Sequence, residues 1–253
     1  KEQAIMLTEE LKNKIIEHAN TSNNEVCGVL VYTDNGLEVQ RKDNLINSAT
    51  EFMMDIYSQS KFAAYYHSHI DFDAISNADE IVSERLGLPC IVYNKQSGVF
   101  HIYYPNGYKI QYTDRPFLLG FADCLWLVKD YFCHDLNIHL CPELEVLKES
   151  VSEQEYNDIV TKRFTDEEAA LKEKDNYLKR YFEYNGFREV SNFKKNDVLI
   201  MRTRGYNFPI HCAVYLGEDT ILHHPGNKYS LVEKLSNQHK KWVIYIMRHN
   251  LYD

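Results

Sequence analysis

The sequence predicts an α/β unit followed by an α+β unit. Three observations lead there. The 253 residues exceed the usual size of about 100–200 residues per domain, so one large domain or two small ones are expected. The first 110 residues read in the order α-β-β-β-α-β-β, which is a compact mixed unit. The rest puts its helical patterns first and its strand patterns last, an α+β order.

Each element has a local reason. Residues 8–20, TEELKNKIIEHAN, carry Leu11, Ile15 and Ile16 at helical spacing behind the cap candidate Thr8. Residues 26–33 and 37–41 flank Asp34-Asn35-Gly36. Asn-Gly between apolar runs predicts a hairpin. Residues 61–69, FAAYYHSH and its preceding lysine, read as a strand ending in polar residues. Asn77, Ala78, Asp79 and Glu80 suit the first turn of a helix over 77–86. Residues 89–94 and 99–105 form a second hairpin around Gln96-Ser97-Gly98.

Asn106-Gly107 and the segment 112–120 mark a boundary. Residues 121–136 then read as a helix. Residues 143–184 are rich in Glu, Lys and Leu and are expected to be mostly helical until Asn185-Gly186. Strands are expected over 197–203, 211–217, 220–224 and 241–249. The domains are therefore placed at 1–110 and 111–253.

Composition excludes several classes. Hydrophobic residues make up 44% and charged residues 26% of the chain, so disorder is not the main reading. No apolar run reaches the length of a membrane span, and the amino-terminal stretch lacks the apolar region of a signal peptide. The sequence starts without Met, so trimming or processing is expected. Net charge is -9. Residues 1–110 carry 9 basic and 15 acidic side chains, and the remainder 19 and 22. Neither part is a basic footprint for nucleic acid or for an anionic membrane. Six scattered cysteines in a chain of this size read as reduced thiols made in a cytosol. The 19 tyrosines fit cores and strands as well as partner surfaces.

Two constellations carry chemistry. His67 and His69 stand at i and i+2 at a strand end, so both aim at one point. A following helix N-terminus brings Asp79 toward the same point. Two imidazoles and a carboxylate leave Zn2+ one open position for water, the form of a catalytic site. Glu25, just before the strand at 26–33, is the candidate general base. In the second half, Cys124 stands where a helix begins, which favours a thiolate. His211 opens a strand. A turn centred on Glu218 reflects residue 211 onto 225, so His223 or His224 falls close to His211. Cys, His and a second polar group follow triad logic. Cys212 alternates to the opposite face and is expected in the core.

Glu25-Val26-Cys27-Gly28, His67-Ser68-His69 and Ser76-Asn77-Ala78-Asp79 together resemble the JAMM (MPN, Mov34/PAD-1) metalloprotease family over roughly residues 5–110. The resemblance implies zinc held by His67, His69 and Asp79, Glu25 as general base, and Ser76 stabilising the oxyanion. Two positions depart from the family. Ile70 replaces the usual Pro, and the stretch from His69 to Ser76 is one residue shorter. Strict counting would make Glu80 the third ligand; the Ser-x-x-Asp pattern makes it Asp79, the assignment adopted.

Asp123-Cys124, the run His211-Cys212-Ala213-Val214-Tyr215-Leu216-Gly217 and His223 resemble the NlpC/P60 cysteine peptidases over roughly 112–253, with a helical insertion between 140 and 185. That resemblance implies a papain-like α+β fold, Cys124 as nucleophile, His211 as general base and His223 as its orienting residue. The usual Asp-Cys-Ser-Gly is here Asp-Cys-Leu-Trp. An α/β JAMM domain followed by an NlpC/P60 domain, with Asp114-Arg115-Pro116-Phe117 ahead of the cysteine, looks like the tail assembly protein K family of lambda-like phages. It implies a tail-tip peptidoglycan hydrolase that cuts stem peptides, made in the host cytoplasm and placed at the virion tail tip. The implied partners are other tail-tip proteins and bacterial peptidoglycan, with neither nucleic acid binding nor stable membrane insertion. The competing expectation is a structural tail-tip assembly protein with one or both sites vestigial.

Overall fold

A computed structural model describes residues 5–45, 48, 50–52, 54, 62–141, 177–204 and 209–252. The chain separates into two units, Lys1–Lys109 and Ile110–Asp253.

The first unit contains α1 (Glu9–Ala19), β1 (Cys27–Thr33), β2 (Gly36–Lys42), β3 (Phe62–His69), α2 (Asn77–Leu86), β4 (Cys90–Asn94) and β5 (Phe100–Tyr103). Its sheet runs β2-β1-β3-β4-β5. All neighbours are antiparallel except β3 and β4, which run parallel. A parallel pair needs a crossover, and α2 supplies it. The Thr8 hydroxyl caps α1 by accepting from the Leu11 amide. Asn35-Gly36 makes the first hairpin, with Gly36 at φ 109°, a conformation glycine adopts without steric cost.

Strand alternation splits the core into two layers. Leu30, Ala64, Tyr66, Ile91 and Tyr93 pack with Leu11, Ile15 and Ala19 of α1. Cys27, Val29, Tyr65, Cys90 and Val92 pack on the other face, with Val82 and Leu86 of α2. Gly28 stands opposite Tyr66 in the β1–β3 register. A Cβ at Gly28 would lie 2.5 Å from the Gln40 carbonyl and from the Tyr66 ring. Glycine there lets the Tyr66 ring lie flat in the core, where its hydroxyl meets His18 Nδ1 at 2.7 Å.

The second unit contains α3 (Cys124–Leu136), α4 (Tyr177–Tyr184), β6 (Phe187–Val190), β7 (Val198–Met201), β8 (His211–Gly217), β9 (Thr220–His223), β10 (Leu231–Lys234), α5 (Asn237–Trp242) and β11 (Val243–His249), then a short 3-10 turn. The sheet order is β10-β9-β8-β7-β11-β6, antiparallel throughout. One face carries Val198, Ile200, Cys212, Val214 and Leu222 against Leu125, Val128 and Phe132 of α3 and Leu178 and Phe182 of α4. The opposite face carries Leu199, Met201, Ala213, Tyr215 and Ile221.

Two buried ion pairs tie this unit together. Arg115 is only 1% exposed. Its guanidinium bonds Asp130 of α3 at 2.6 Å and the Ile110 carbonyl at 2.8 Å, and also the Gln111 carbonyl. Arg248 of β11 makes a bidentate pair with Asp197, at 2.8 and 2.9 Å.

Several expectations need adjustment. The helix expected at 121 starts at Cys124, because Asp123 is its N-cap. Of the helical stretch expected over 143–184, only Tyr177–Tyr184 falls among the described residues, and it is a helix. Strands β6 and β10 and helix α5 were not anticipated. The tyrosines divide: Tyr65, Tyr66 and Tyr181 are fully buried, whereas Tyr32 and Tyr229 are exposed.

Candidate active sites

The first constellation forms at the carboxyl end of β3, beside the parallel strand β4, where crevices open in such sheets. His67 and His69 end β3, and α2 follows across a short loop. Ser76 caps α2, and its hydroxyl accepts from the Asp79 amide at 3.1 Å. Asp79 folds back, its Oδ2 accepting from the Ser76 amide at 2.8 Å and the Ser76 hydroxyl at 2.7 Å. This capping box aims the carboxylate at the histidines. Asp79 Oδ1 lies 3.1 Å from His67 Nε2, and Oδ2 lies 3.6 Å from His69 Nε2. The two Nε2 atoms are 3.0 Å apart. Glu80, the alternative ligand by strict counting, is half-buried one residue further along α2. Ser76, the residue implied as an oxyanion stabiliser, spends its hydroxyl on the cap.

Glu25 reaches the same place through the sheet. Cys27 pairs with His67, so continuing that register sets Glu25 level with His69. Ser68, between the histidines, holds this edge: its amide donates to the Val26 carbonyl and its hydroxyl accepts from the Val26 amide, both at 3.0 Å. Glu25 is 5% exposed. Burial pushes its carboxyl up to about 7, with Asp79 adding to the rise and His67 opposing it. That range suits a proton acceptor at neutral pH. Burial opposes a charged His67, yet the Asp79 carboxylate lifts it well above the usual imidazole range. His69 is held low by burial and by His67.

His67, Asp79 and Cys90 form a buried group that could hold a metal. Three donors about 2.1 Å from a tetrahedral zinc would stand roughly 3.4 Å apart. The His67 and His69 Nε2 atoms stand 3.0 Å apart, and Asp79 Oδ1 stands 3.1 Å from His67 Nε2, a little inside that spacing. His69 Nδ1 donates to the Phe72 carbonyl at 3.0 Å, so the Nε2 lone pair faces the site. Metal-bound histidines use such backbone acceptors to fix their tautomer. Cys90 is an alternative donor, since His67, Asp79 and Cys90 offer donor atoms within 4.8 Å of one another. Its sulfur, however, lies 4.0 Å from His67 Nδ1, behind the ring. An ion on His67 Nε2 therefore has His69 and Asp79 as its near partners.

The second constellation begins with α3. Asp123 Oδ1 accepts from the Leu125 and Trp126 amides at 3.0 Å, and Oδ2 from the Gly120 amide at 2.8 Å. Cys124 is thus fixed at the first residue of the helix, where amide dipoles favour a thiolate. Leu125 turns into the core. The Trp126 indole donates to the Gly120 carbonyl at 2.5 Å.

His211 opens β8 and is 7% exposed; His223 ends β9 and is 6% exposed. Ala213 pairs with His223, which sets the two rings as diagonal neighbours. His211 Nε2 lies 3.0 Å from His223 Nδ1. His223 Nε2 lies 2.6 Å from Glu233 Oε1 on β10. Glu233 was not anticipated. Burial and His211 push His223 below the usual imidazole range, against the pull of Glu233.

Cys124 packs on the cluster that holds Cys212, Val214 and Leu222. His211 alternates with Cys212 and so belongs to the other side of β8. His224, two residues beyond Leu222, is fully buried, and its Nε2 meets the Lys228 carbonyl at 3.2 Å. Burial lowers its pKa, and the nearby Cys124 sulfur pulls it back up. Its Nδ1 is the one buried side-chain nitrogen or oxygen without a hydrogen-bond partner among the described residues. The structure thus joins His211, His223 and Glu233, and sets His224 within electrostatic reach of Cys124.

No protein-family model and no curated protein matches the chain. Among solved structures, it resembles a crystal structure described as similar to a lipoprotein of the NLP/P60 family, from Staphylococcus aureus subsp. aureus Mu50. The TM-score is 0.32 and the identity 16%, over 54% of this chain and 37% of that one. The chain therefore spans little more than a third of that structure, and a likeness of this degree decides nothing about the site.

Proposed function

We propose that the second unit is a cysteine endopeptidase acting on the stem peptides of bacterial peptidoglycan, within a protein of a phage tail tip. The observation that supports it most is the relay His211–His223–Glu233 in the same unit as a cysteine held at a capped helix N-terminus. In this reading the Cys124 thiolate attacks the amide carbonyl carbon and forms a C–S bond. The imidazolium of His211 gives its proton to the leaving nitrogen as the C–N bond breaks. Water then hydrolyses the thioester, its proton returning to His211. His223 orients His211. A second assignment, in which His224 is the base, is favoured by the electrostatic link between Cys124 and His224 and by the placement of His211 on the other side of β8 from the cluster that Cys124 packs on.

The first unit is proposed to be a zinc site of metallopeptidase type. His67, His69 and Asp79 would hold the ion, and Glu25 would take the proton of the attacking water. Bound zinc would supply Lewis acidity and bring the pKa of its water to about 7. The tail-tip setting, host-cytoplasmic synthesis and docking to other tail proteins rest on the sequence resemblance.

The test is mass spectrometry of purified peptidoglycan digested by the wild type, Cys124→Ala, His211→Ala and His224→Ala. New stem fragments from the wild type, lost in Cys124→Ala and His211→Ala, support the reading. Loss in His224→Ala with retention in His211→Ala transfers the base to His224. No fragments from the wild type would overturn the peptidase reading and favour a structural tail-tip role.

A further inference from the structure

The loop between His69 and Ser76 has little of its own to hold it still. Its six residues, Ile70-Asp71-Phe72-Asp73-Ala74-Ile75, include no proline. Phe72, near its centre, is 52% exposed. Yet the Phe72 carbonyl meets His69 Nδ1 at 3.0 Å. A carbonyl can only accept, so that nitrogen carries the proton and the lone pair goes to Nε2. Two side-chain bonds outside the metal cluster explain how an exposed loop keeps that carbonyl in place. The carboxylates on either side of Phe72 both reach the β4–β5 hairpin. Asp71 Oδ1 accepts from Gln96 Nε2 at 3.1 Å, and Asp73 Oδ1 from His101 Nε2 at 2.8 Å. Hydrogen bonds from His101 and then Ser97 hold the Asp73 carboxyl below its ordinary range.

We infer that Asp73 and His101 are positioning residues of the first site. With the Asp71–Gln96 bond they lash the 70–75 loop to the β4–β5 hairpin. That holds the Phe72 carbonyl on His69 Nδ1 and leaves the Nε2 lone pair for a metal ion. The inference rests on the metal-site reading of His67, His69 and Asp79. Strand register puts the anchor where it is needed. His67 pairs with Val92 and Val92 with His101, so the three share one face of the sheet. At about 4.8 Å per strand, His101 stands two strands, roughly 10 Å, from His67. It is too far to ligate an ion there, so it acts through the loop. The hairpin turn is itself tied down. Asn94 is buried, and its Oδ1 accepts from the Gln96 and Ser97 amides at 2.9 and 2.8 Å. The Lys95 amide donates to the His69 carbonyl at 2.9 Å. Both anchors are thus tied to the strand end that carries His69. The His101 and Asp73 side chains are 30% and 46% exposed, and pairs so open to water contribute little to stability. Their effect falls on where the carbonyl stands, which fixes the ligand's tautomer.

The experiment uses the full chain: the wild type, the double variant Asp71→Ala with Asp73→Ala, His101→Leu and His101→Gln. Gln keeps an N–H donor for Asp73, and Leu does not. Long-range 1H–15N spectra of the metal-free protein at neutral pH assign the protonated nitrogen of His69. Zinc competition against a chromophoric chelator measures affinity, and urea unfolding checks the fold. In the wild type, His69 Nδ1 is expected to carry the proton. The double variant should give mixed tautomers and bind zinc about tenfold more weakly, the low end for partners that orient a metal-bound histidine. Its urea midpoint should stay with the wild type. His101→Leu should fall between the two, and His101→Gln should stand with the wild type. A wild-type tautomer or wild-type zinc affinity in the double variant would overturn the inference, as would a loss in His101→Gln as large as in His101→Leu. A wild type that binds zinc no better than His69→Ala would remove the metal-site reading. The His69 tautomer in the metal-free double variant would then still decide whether the two anchors set the loop.

Discussion

Asp79 offers the sharpest test of the first site, because the side chain that completes a helix cap is also the one proposed to ligate zinc. Asp79→Asn keeps a carbonyl oxygen for the Ser76 amide and removes the charge. Asp79→Ala removes both. In the metal-free protein the carboxyl is held at about 2, beneath its ordinary 3.8; burial works against the ionised form, and His67 and Ser76 outweigh it. At about 1.4 kcal/mol per pKa unit, that is roughly 2 kcal/mol of stability from the ionised form. The folded-state pKa lies below the unfolded one. The contribution is therefore complete above about pH 4 and lost as pH falls through about 2. Asp79→Asn should cost the first unit roughly 2 kcal/mol at pH 7, and Asp79→Ala about 1 kcal/mol more for the cap. Urea unfolding of the full chain with a chelator present, followed by hydrogen exchange at β1 and β3, measures both. Zinc competition against a chromophoric chelator measures the other role. Both variants should weaken zinc by at least about tenfold, and Glu80→Gln should not. Wild-type zinc affinity in Asp79→Asn beside a loss in Glu80→Gln would refute the reasoning and make Glu80 the ligand.

Two further predictions concern the second unit. Arg115→Met takes the guanidinium away from the buried Asp130 carboxylate and should cost about 3–5 kcal/mol in urea unfolding; a change under about 1 kcal/mol would show that water replaces the guanidinium. His223 and His224 are both held below the ordinary imidazole range, chiefly by burial. With folded-state values below the unfolded 6.5, the stability they confer is complete above about pH 6.5 and drains as pH falls. The urea midpoint of this unit should drop between pH 7 and pH 5, less steeply in His224→Gln, and a midpoint that rises on acidification would contradict this.

What the sequence reveals here depends on how far apart the cooperating residues lie along the chain. His67 and His69 are legible because alternation on one strand fixes their common face. The choice between Asp79 and Glu80 is legible only from the helix start. Once Ser76 is the cap, residue 79 is the third helical position, whose side chain folds back over the cap. Residue 80 is rotated about 100° onward by helix geometry. Loop counting fails there because a loop absorbs a missing residue and a helix cannot. The His211–His223 pairing is legible for a similar reason. A tight turn at Glu218-Asp219 transmits register, and the pairing Ala213–His223 has the same sum of residue numbers as the one read from the turn.

Glu233 lies beyond such reasoning. Seven residues, 224–230, separate β9 from β10, and a connection of that length transmits no register. β10 itself alternates half-buried and exposed residues over only four positions. Glu233 then reads like any solvated side chain. The structure recovers it because the Ser230 hydroxyl and backbone are pinned to Arg115: Ser230 Oγ accepts from the Arg115 amide at 3.0 Å, and the Ser230 amide donates to the Arg115 carbonyl at 3.2 Å. Arg115 is itself fixed to α3 through Asp130. The buried ion pair therefore does more than hold the 110–118 segment. It sets where β10 starts, and through that start it sets which side chain meets His223.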